Sequence, residues 1–137
     1  MKFIGVIIAV IALTASAGCA SDERTWPGTF FKTSVGKVDF YEEPIDVTDL
    51  KIVCTEADNN LTAVITAPDG TQASSTRPTD GAQTADIEIS GSHGTETLQD
   101  AATWKHVNGD WGFEGDPDGT HDNILDLRGS AAICPGQ

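Results

Sequence analysis

From Val35 onward, apolar and polar positions alternate with a period of two, and no stretch of about ten residues or more repeats its apolar positions at the helical interval. Val38 and Phe40 alternate with Asp39 and Tyr41, and Leu50, Ile52 and Cys54 with Lys51, Val53 and Thr55. Leu61, Ala63 and Ile65 alternate with Thr62, Val64 and Thr66, and Ile87 and Ile89 with Asp86, Glu88 and Ser90. Successive side chains of an extended chain point to opposite sides, so each run presents one apolar face and one wet face. The pattern predicts an all-β domain, either a small antiparallel β-sandwich or a barrel-like fold. Asp58-Asn59-Asn60 marks a turn between two of these strands, and residues 67–84, rich in Pro, Gly, Ser, Thr and Ala, read as a long exposed turn region.

The strongest local signal is TWKHVNGDWGFEG, residues Thr103 to Gly115. Asn108-Gly109 separates two short strands by two residues, which predicts a type I′ hairpin. In that register Val107 faces Asp110, His106 faces Trp111 and Trp104 faces Phe113, so Trp104, His106, Trp111 and Phe113 share one face. Such a face serves either as a cross-strand aromatic core or as a stacking platform for a sugar or lipid. In the last strand Leu125 and Leu127 share one parity while Ala132 and Cys134 have the other. Cys134 therefore points inward only if a residue bulges out, with Gly129-Ser130 the suitable place, and the expectation is that Cys134 meets Cys54 in the interior.

Upstream of the alternating region the chain reads differently. Met1 and Lys2 precede an almost wholly apolar run from Phe3 to Leu13, followed by small residues, which is the layout of an export leader. The run is too short for a comfortable transmembrane span. Ala15-Ser16-Ala17 is a small-x-small cleavage pattern, yet Ser16-Ala17-Gly18-Cys19 resembles a bacterial lipobox, with Ser16 where an aliphatic residue is usual. The first site would give a freely secreted chain with an exposed thiol at Cys19. The second would make Cys19 the acylated first residue. The expected organisation is a signal peptide over residues 1–18, a lipidated N-terminus and tether over 19–33, and a single β domain over 34–137. Within the tether, Trp26-Pro27 reads either as an interfacial anchor or as a tryptophan packing onto the domain.

Cysteine arithmetic bears on that choice. The chain has three cysteines, Cys19, Cys54 and Cys134. A bridge between Cys54 and Cys134 would close a loop of about 80 residues, worth ~4.5 kcal/mol by the chain-entropy relation, and would leave Cys19 over. An exported protein can keep such a bridge. Several buried acyl chains, at roughly 0.8 kcal/mol per methylene, would then hold the mature chain stably at the outer face of the plasma membrane.

Charge narrows the partners. The chain carries 21 acidic and 8 basic residues, a net charge of −13, and Lys2 leaves with the leader. A domain this acidic repels phosphate backbones, which argues against nucleic acid and against anionic lipid held through the protein surface. Candidate chemistry is sparse. Asp116, Asp118 and Asp122 lie close together in DPDGTHDN, as in a calcium loop, but counting from Asp116 the sixth and twelfth positions are His121 and Leu127, not the Gly and Glu of an EF-hand. His93, His106 and His121 are scattered, without metal-ligand spacing. Neither a nucleophile elbow nor a phosphate-binding glycine loop is present, and the reading is of a protein that is not an enzyme and needs no cofactor.

The stretch DVTDLKIVCTEADNNLTAVITAP, residues Asp46 to Pro68, resembles the mycobacterial lipoprotein antigen family of the nineteen-kilodalton type. The likeness continues through VNGDWGFEGDPDG and ends at ILDLRGSAAIC, covering roughly Val35 to Cys134. It implies an actinobacterial cell-envelope lipoprotein, bearing diacylglycerol and an acyl chain such as palmitate on Cys19. It further implies a Cys54 to Cys134 bridge and surface display as an antigen to host immune receptors or envelope proteins. The tether departs from the family pattern, being short and charged where relatives have a long Thr/Ser/Ala-rich one. The alternative expectation is a secreted or anchored module that binds a small ligand on the aromatic face or calcium at the Asp cluster.

Overall fold

The computed structural model describes residues 23–31, 36–115, 120–127 and 130–136. In it the alternating runs are antiparallel strands. In chain order these are β1 (Arg24–Pro27), β2 (Thr29–Phe31), β3 (Lys37–Phe40), β4 (Glu43–Asp46), β5 (Lys51–Ala57) and β6 (Asn60–Thr66). They continue with β7 (Gln72–Thr76), β8 (Thr84–Gly91), β9 (Gly94–Val107), β10 (Asp110–Gly115), β11 (Leu125–Asp126) and β12 (Ala131–Cys134). A 3₁₀ turn, Val47–Asp49, links β4 to β5.

Nine strands form one sheet in the order β1-β5-β6-β7-β8-β9-β10-β12-β2, and β11-β3-β4 form a second, small sheet. The two edges of the large sheet, β1 and β2, are consecutive in sequence and separated only by Gly28. Residues 24–31 therefore act as one strand that changes partner half-way, pairing first with β5 (Trp26 opposite Cys54) and then with β12 (Thr29 opposite Ile133). That exchange curls the sheet into a nearly closed barrel, which removes the open edges a flat sheet would present. Of the two expected all-β architectures, the barrel-like one is found.

The core follows from the alternation. Ile52, Cys54, Leu61, Ala63, Ile65, Ile87 and Ile89 are all buried, and Val38, Phe40, Leu125 and Leu127 from the small sheet and its flank join the same cluster. Gly28 allows the closure: a Cβ there would lie 2.5 Å from Ile52 Cγ2, 2.7 Å from the Ile133 carbonyl oxygen and 3.1 Å from Cys54 Sγ. Cys54 on β5 and Cys134 on β12 are joined by a disulfide with Cα atoms 5.8 Å apart, both fully buried. The bridge spans the seam between two strands that the order of the sheet puts near opposite ends.

Three expectations need correction. The tether does not extend to residue 33, because Arg24 to Phe31 are sheet strands, with Trp26 and Phe30 packed against the core. Residues 67–84 are not one long turn, since Gln72–Thr76 is a strand paired on both sides, with Ala73 and Ser75 buried. Nor do Leu125 and Cys134 share a strand. β11 pairs with β3 in the small sheet while β12 lies between β10 and β2 in the barrel, so the change of parity reflects a change of sheet. Gly129 of the expected bulge lies outside the described residues. Cys134 nonetheless points inward and meets Cys54, as expected.

Candidate functional site

The predicted hairpin forms with the predicted register: Asp110 faces Val107, Trp111 faces His106 and Phe113 faces Trp104. Asn108 and Gly109 take φ of 51° and 88°, the left-handed pair that a type I′ turn requires. The four aromatic residues share one side of the hairpin, but depth in the barrel divides them. Phe113 and Trp104 lie in the core, with ring centroids 5.2 Å apart, and the Trp104 indole Nε1 donates to Ser75 Oγ at 2.9 Å. One step toward the turn, His106 is exposed and Trp111 half-buried, with centroids 4.0 Å apart. The face is thus core at one end and open at the other.

Several connections meet at that open end. The β5–β6 turn carries Asp58 and Asn59, and residues 77–83 join β7 to β8. The Arg77 amide donates to the Leu61 carbonyl at 2.8 Å, the Trp104 amide to the Gln83 carbonyl at 2.8 Å, and the Gly136 amide to Asp110 Oδ1 at 3.3 Å. Between the hairpin and residues 77–83 lies an open cleft of about 810 Å³, walled by Asn59, Arg77, Gln83, Trp104, His106 and Trp111 among others, none of them Asp or Glu. The Arg77 guanidinium carbon sits 4.9 Å from the Trp111 ring centroid, within cation–π range.

The arrangement around the disulfide repeats itself. Trp26 is the cross-strand partner of Cys54, and Trp111 that of Cys134. Each tryptophan has an arginine over its ring, Arg24 over Trp26 at 5.0 Å and Arg77 over Trp111 at 4.9 Å. Arg24 also pairs with Glu56 at 2.5 Å. Of the two readings of Trp26, packing onto the domain is the one observed.

Other candidate residues lie elsewhere. His93 occupies the β8–β9 turn and stacks on Tyr41 at 3.9 Å with an interplanar angle of 13°. Tyr41 Oη donates to Glu96 Oε2 at 3.2 Å, and burial, followed by the bond and negative charge of Glu96, pushes the phenol pKa above its ordinary value. Of the proposed calcium cluster only Asp122 is described, since Asp116 and Asp118 lie outside the described residues, as does Cys19. Among the described residues, no three His, Cys, Asp or Glu side chains gather so as to hold a metal ion.

Sequence reasoning missed Arg77. A signal was there: it is the one Lys or Arg between Lys51 and Lys105, set in a run of Ser, Thr and Pro. Comparison of the chain with protein families, curated proteins and solved structures found no match.

Proposed function

We propose that this protein is a lipid-anchored cell-envelope lipoprotein that displays a disulfide-locked β barrel outside the plasma membrane, as a surface antigen and interaction domain without enzymatic activity. One observation carries the reading. Cys54 and Cys134 are consumed by a buried disulfide, which points to an oxidising, extracytoplasmic location and leaves Cys19 as the odd cysteine, in the lipobox-like Ser16-Ala17-Gly18-Cys19. No helix among the described residues is long and apolar enough to cross a membrane, so acylation of Cys19 would supply the attachment. The likeness of residues 46–68 and of the closing strand to the nineteen-kilodalton mycobacterial lipoprotein antigens supports the same reading.

The anchor would also orient the barrel. The sheet begins at Arg24, and the stretch from Cys19 to Arg24 spans about 18 Å even when fully extended. An acylated Cys19 would therefore hold the Arg24 end near the bilayer. The β5–β6 turn lies at that same end, because β1 runs antiparallel to β5 with Arg24 opposite Glu56. Detergent-phase partition of the protein made in an actinobacterium, beside a Cys19→Ala variant, tests the attachment. The wild type is expected in the detergent phase and the variant in the aqueous phase. Aqueous behaviour of both would remove the anchor from the account.

A second reading, a ligand-binding module, is favoured by one specific observation: Trp111, half-buried at the edge of the core, lines a cleft together with the exposed His106.

A further inference from the structure

Resting on the anchored reading of Cys19, we infer that the outer face of β1, β5, β6 and β7 lies against the membrane that carries the anchor, on its phosphate-bearing head-group layer. Charge is the first observation. The chain has 21 acidic residues, yet among the described residues the outward positions of these four adjacent strands hold no Asp or Glu, and Lys51 is their one charged side chain. Arg24 and Glu56, of inward parity at the rim, pair with each other. Thr25, Thr55, Thr62 and Thr76 stand opposite one another across the four strands, and Val53 and Val64 are paired in the adjacent row. The β preference of Thr and Val explains their presence but not the missing carboxylates, because the next strand, β8, turns Asp86 and Glu88 outward. Acids border the face instead, with Asp58 and Asp69 in the turns at its two ends and Glu88 beside Ser74.

The second observation is where the anchor joins. Cys19 precedes Arg24, the first residue of β1, by five positions, at most about 18 Å of chain. Four strands about 4.8 Å apart span about 14 Å. The tether is therefore long enough to let the whole face reach the head groups and too short to let the barrel stand clear of them. On the other flank of residues 24–31, the outward positions of β10 and β12 include Gly112, Ala131 and Ile133, which are already buried. The open wall beside the anchor is that of β1, β5, β6 and β7. Bringing the chain to the bilayer falls to the acyl chains, since a net charge of −13 is repelled by phosphate. Repulsion fades over a Debye length of about 8 Å at physiological ionic strength, so it acts on carboxylates pressed against the head groups and spares those turned away. The face thus decides orientation. Its chemistry fits phosphate oxygens: the Thr25 and Thr55 hydroxyls are 3.3 Å apart and those of Thr62 and Thr76 2.8 Å, and each pair uses one hydroxyl hydrogen and keeps another to donate.

The test uses the acylated full chain in nanodiscs of phosphatidylcholine and phosphatidylglycerol carrying a trace of gadolinium-chelating lipid. Paramagnetic relaxation of the backbone amides is read by NMR. Because the effect falls with the sixth power of distance, the amides of Thr62 and Val64 should relax several-fold faster than those of Thr103 and Lys105 on β9, across the barrel. A Thr62→Glu, Val64→Glu variant should lose that difference while staying on the discs, and Thr62→Gln, Val64→Gln, of the same size without the charge, should keep it. Equal enhancement around the attached barrel, a stronger effect on β9, or a Glu variant that keeps the wild-type pattern would overturn the inference and leave the anchor standing. Failure of the wild-type chain to join the discs would overturn the anchor and this face together.

Discussion

A single methyl group at residue 28 would reach the closure of the barrel. A Cβ on Gly28 would meet Ile52, the Ile133 carbonyl and the disulfide sulfur of Cys54, and the carbonyl is backbone that cannot swing aside. Gly28→Ala should therefore destabilise the fold by about 1–3 kcal/mol, read as a lower urea midpoint with an intact disulfide. Two carboxylates act at the same scale. Asp46 accepts from the Thr48 amide and hydroxyl, and Asp69 from the Thr71 amide at 2.9 Å. These bonds, the backbone amide foremost in each case, hold both carboxyls below the ordinary carboxylate range. Protonation is then harder in the folded than in the unfolded chain. Their contribution is accordingly complete above the ordinary carboxylate pKa and is lost as pH falls from there through the lower folded-state values. Thermal melts between pH 6 and pH 2 should show a falling Tm, with a shallower acid limb in the Asp46→Ala, Asp69→Ala double variant. The inward parity of Cys54 was legible in the sequence because its strand alternates cleanly. The role of Gly28 was not, because it depends on contacts with two strands distant in sequence.

Among the elements, the β9–β10 hairpin was the most legible, since Asn-Gly fixes the turn and the turn fixes the register. Gly109 has φ of 88°, so Gly109→Ala should cost about 1 kcal/mol without altering the disulfide. Deeper in the hairpin, Trp104→Phe keeps most of the packing but leaves the buried Ser75 hydroxyl without its indole donor. The expected loss is about 1–3 kcal/mol, measured by chemical unfolding. β7 was hidden by its composition, Gln-Ala-Ser-Ser-Thr, whose small and hydroxyl-bearing residues resemble those of a loop. Its inward positions are the small residues Ala73 and Ser75, and Ser75 accepts from the buried Trp104 indole. β1 and β2 were hidden for another reason: they are short and their partners lie far along the chain. The aromatic face was legible as a face, because the hairpin register places its four residues on one side. Its division into core and cleft depends on where the barrel ends, which local alternation does not encode.

Over the whole molecule, the disulfide ties together two strands whose direct link is otherwise the partner-changing strand of residues 24–31. Replacing both cysteines by alanine should cost up to ~4.5 kcal/mol by the chain-entropy relation, a large share of the stability of so small a domain. Reduction with the cysteines intact should lower the midpoint similarly. The same bridge leaves Cys19 over, and we propose that Cys19 carries lipid. The most direct test is the intact mass, under non-reducing conditions, of the protein purified from an actinobacterial membrane. The expected species is a chain beginning at Cys19, heavier by a diacylglycerol and an acyl chain, and lighter by the two hydrogens of one disulfide. A chain beginning at Gly18 with an unmodified Cys19 would contradict it.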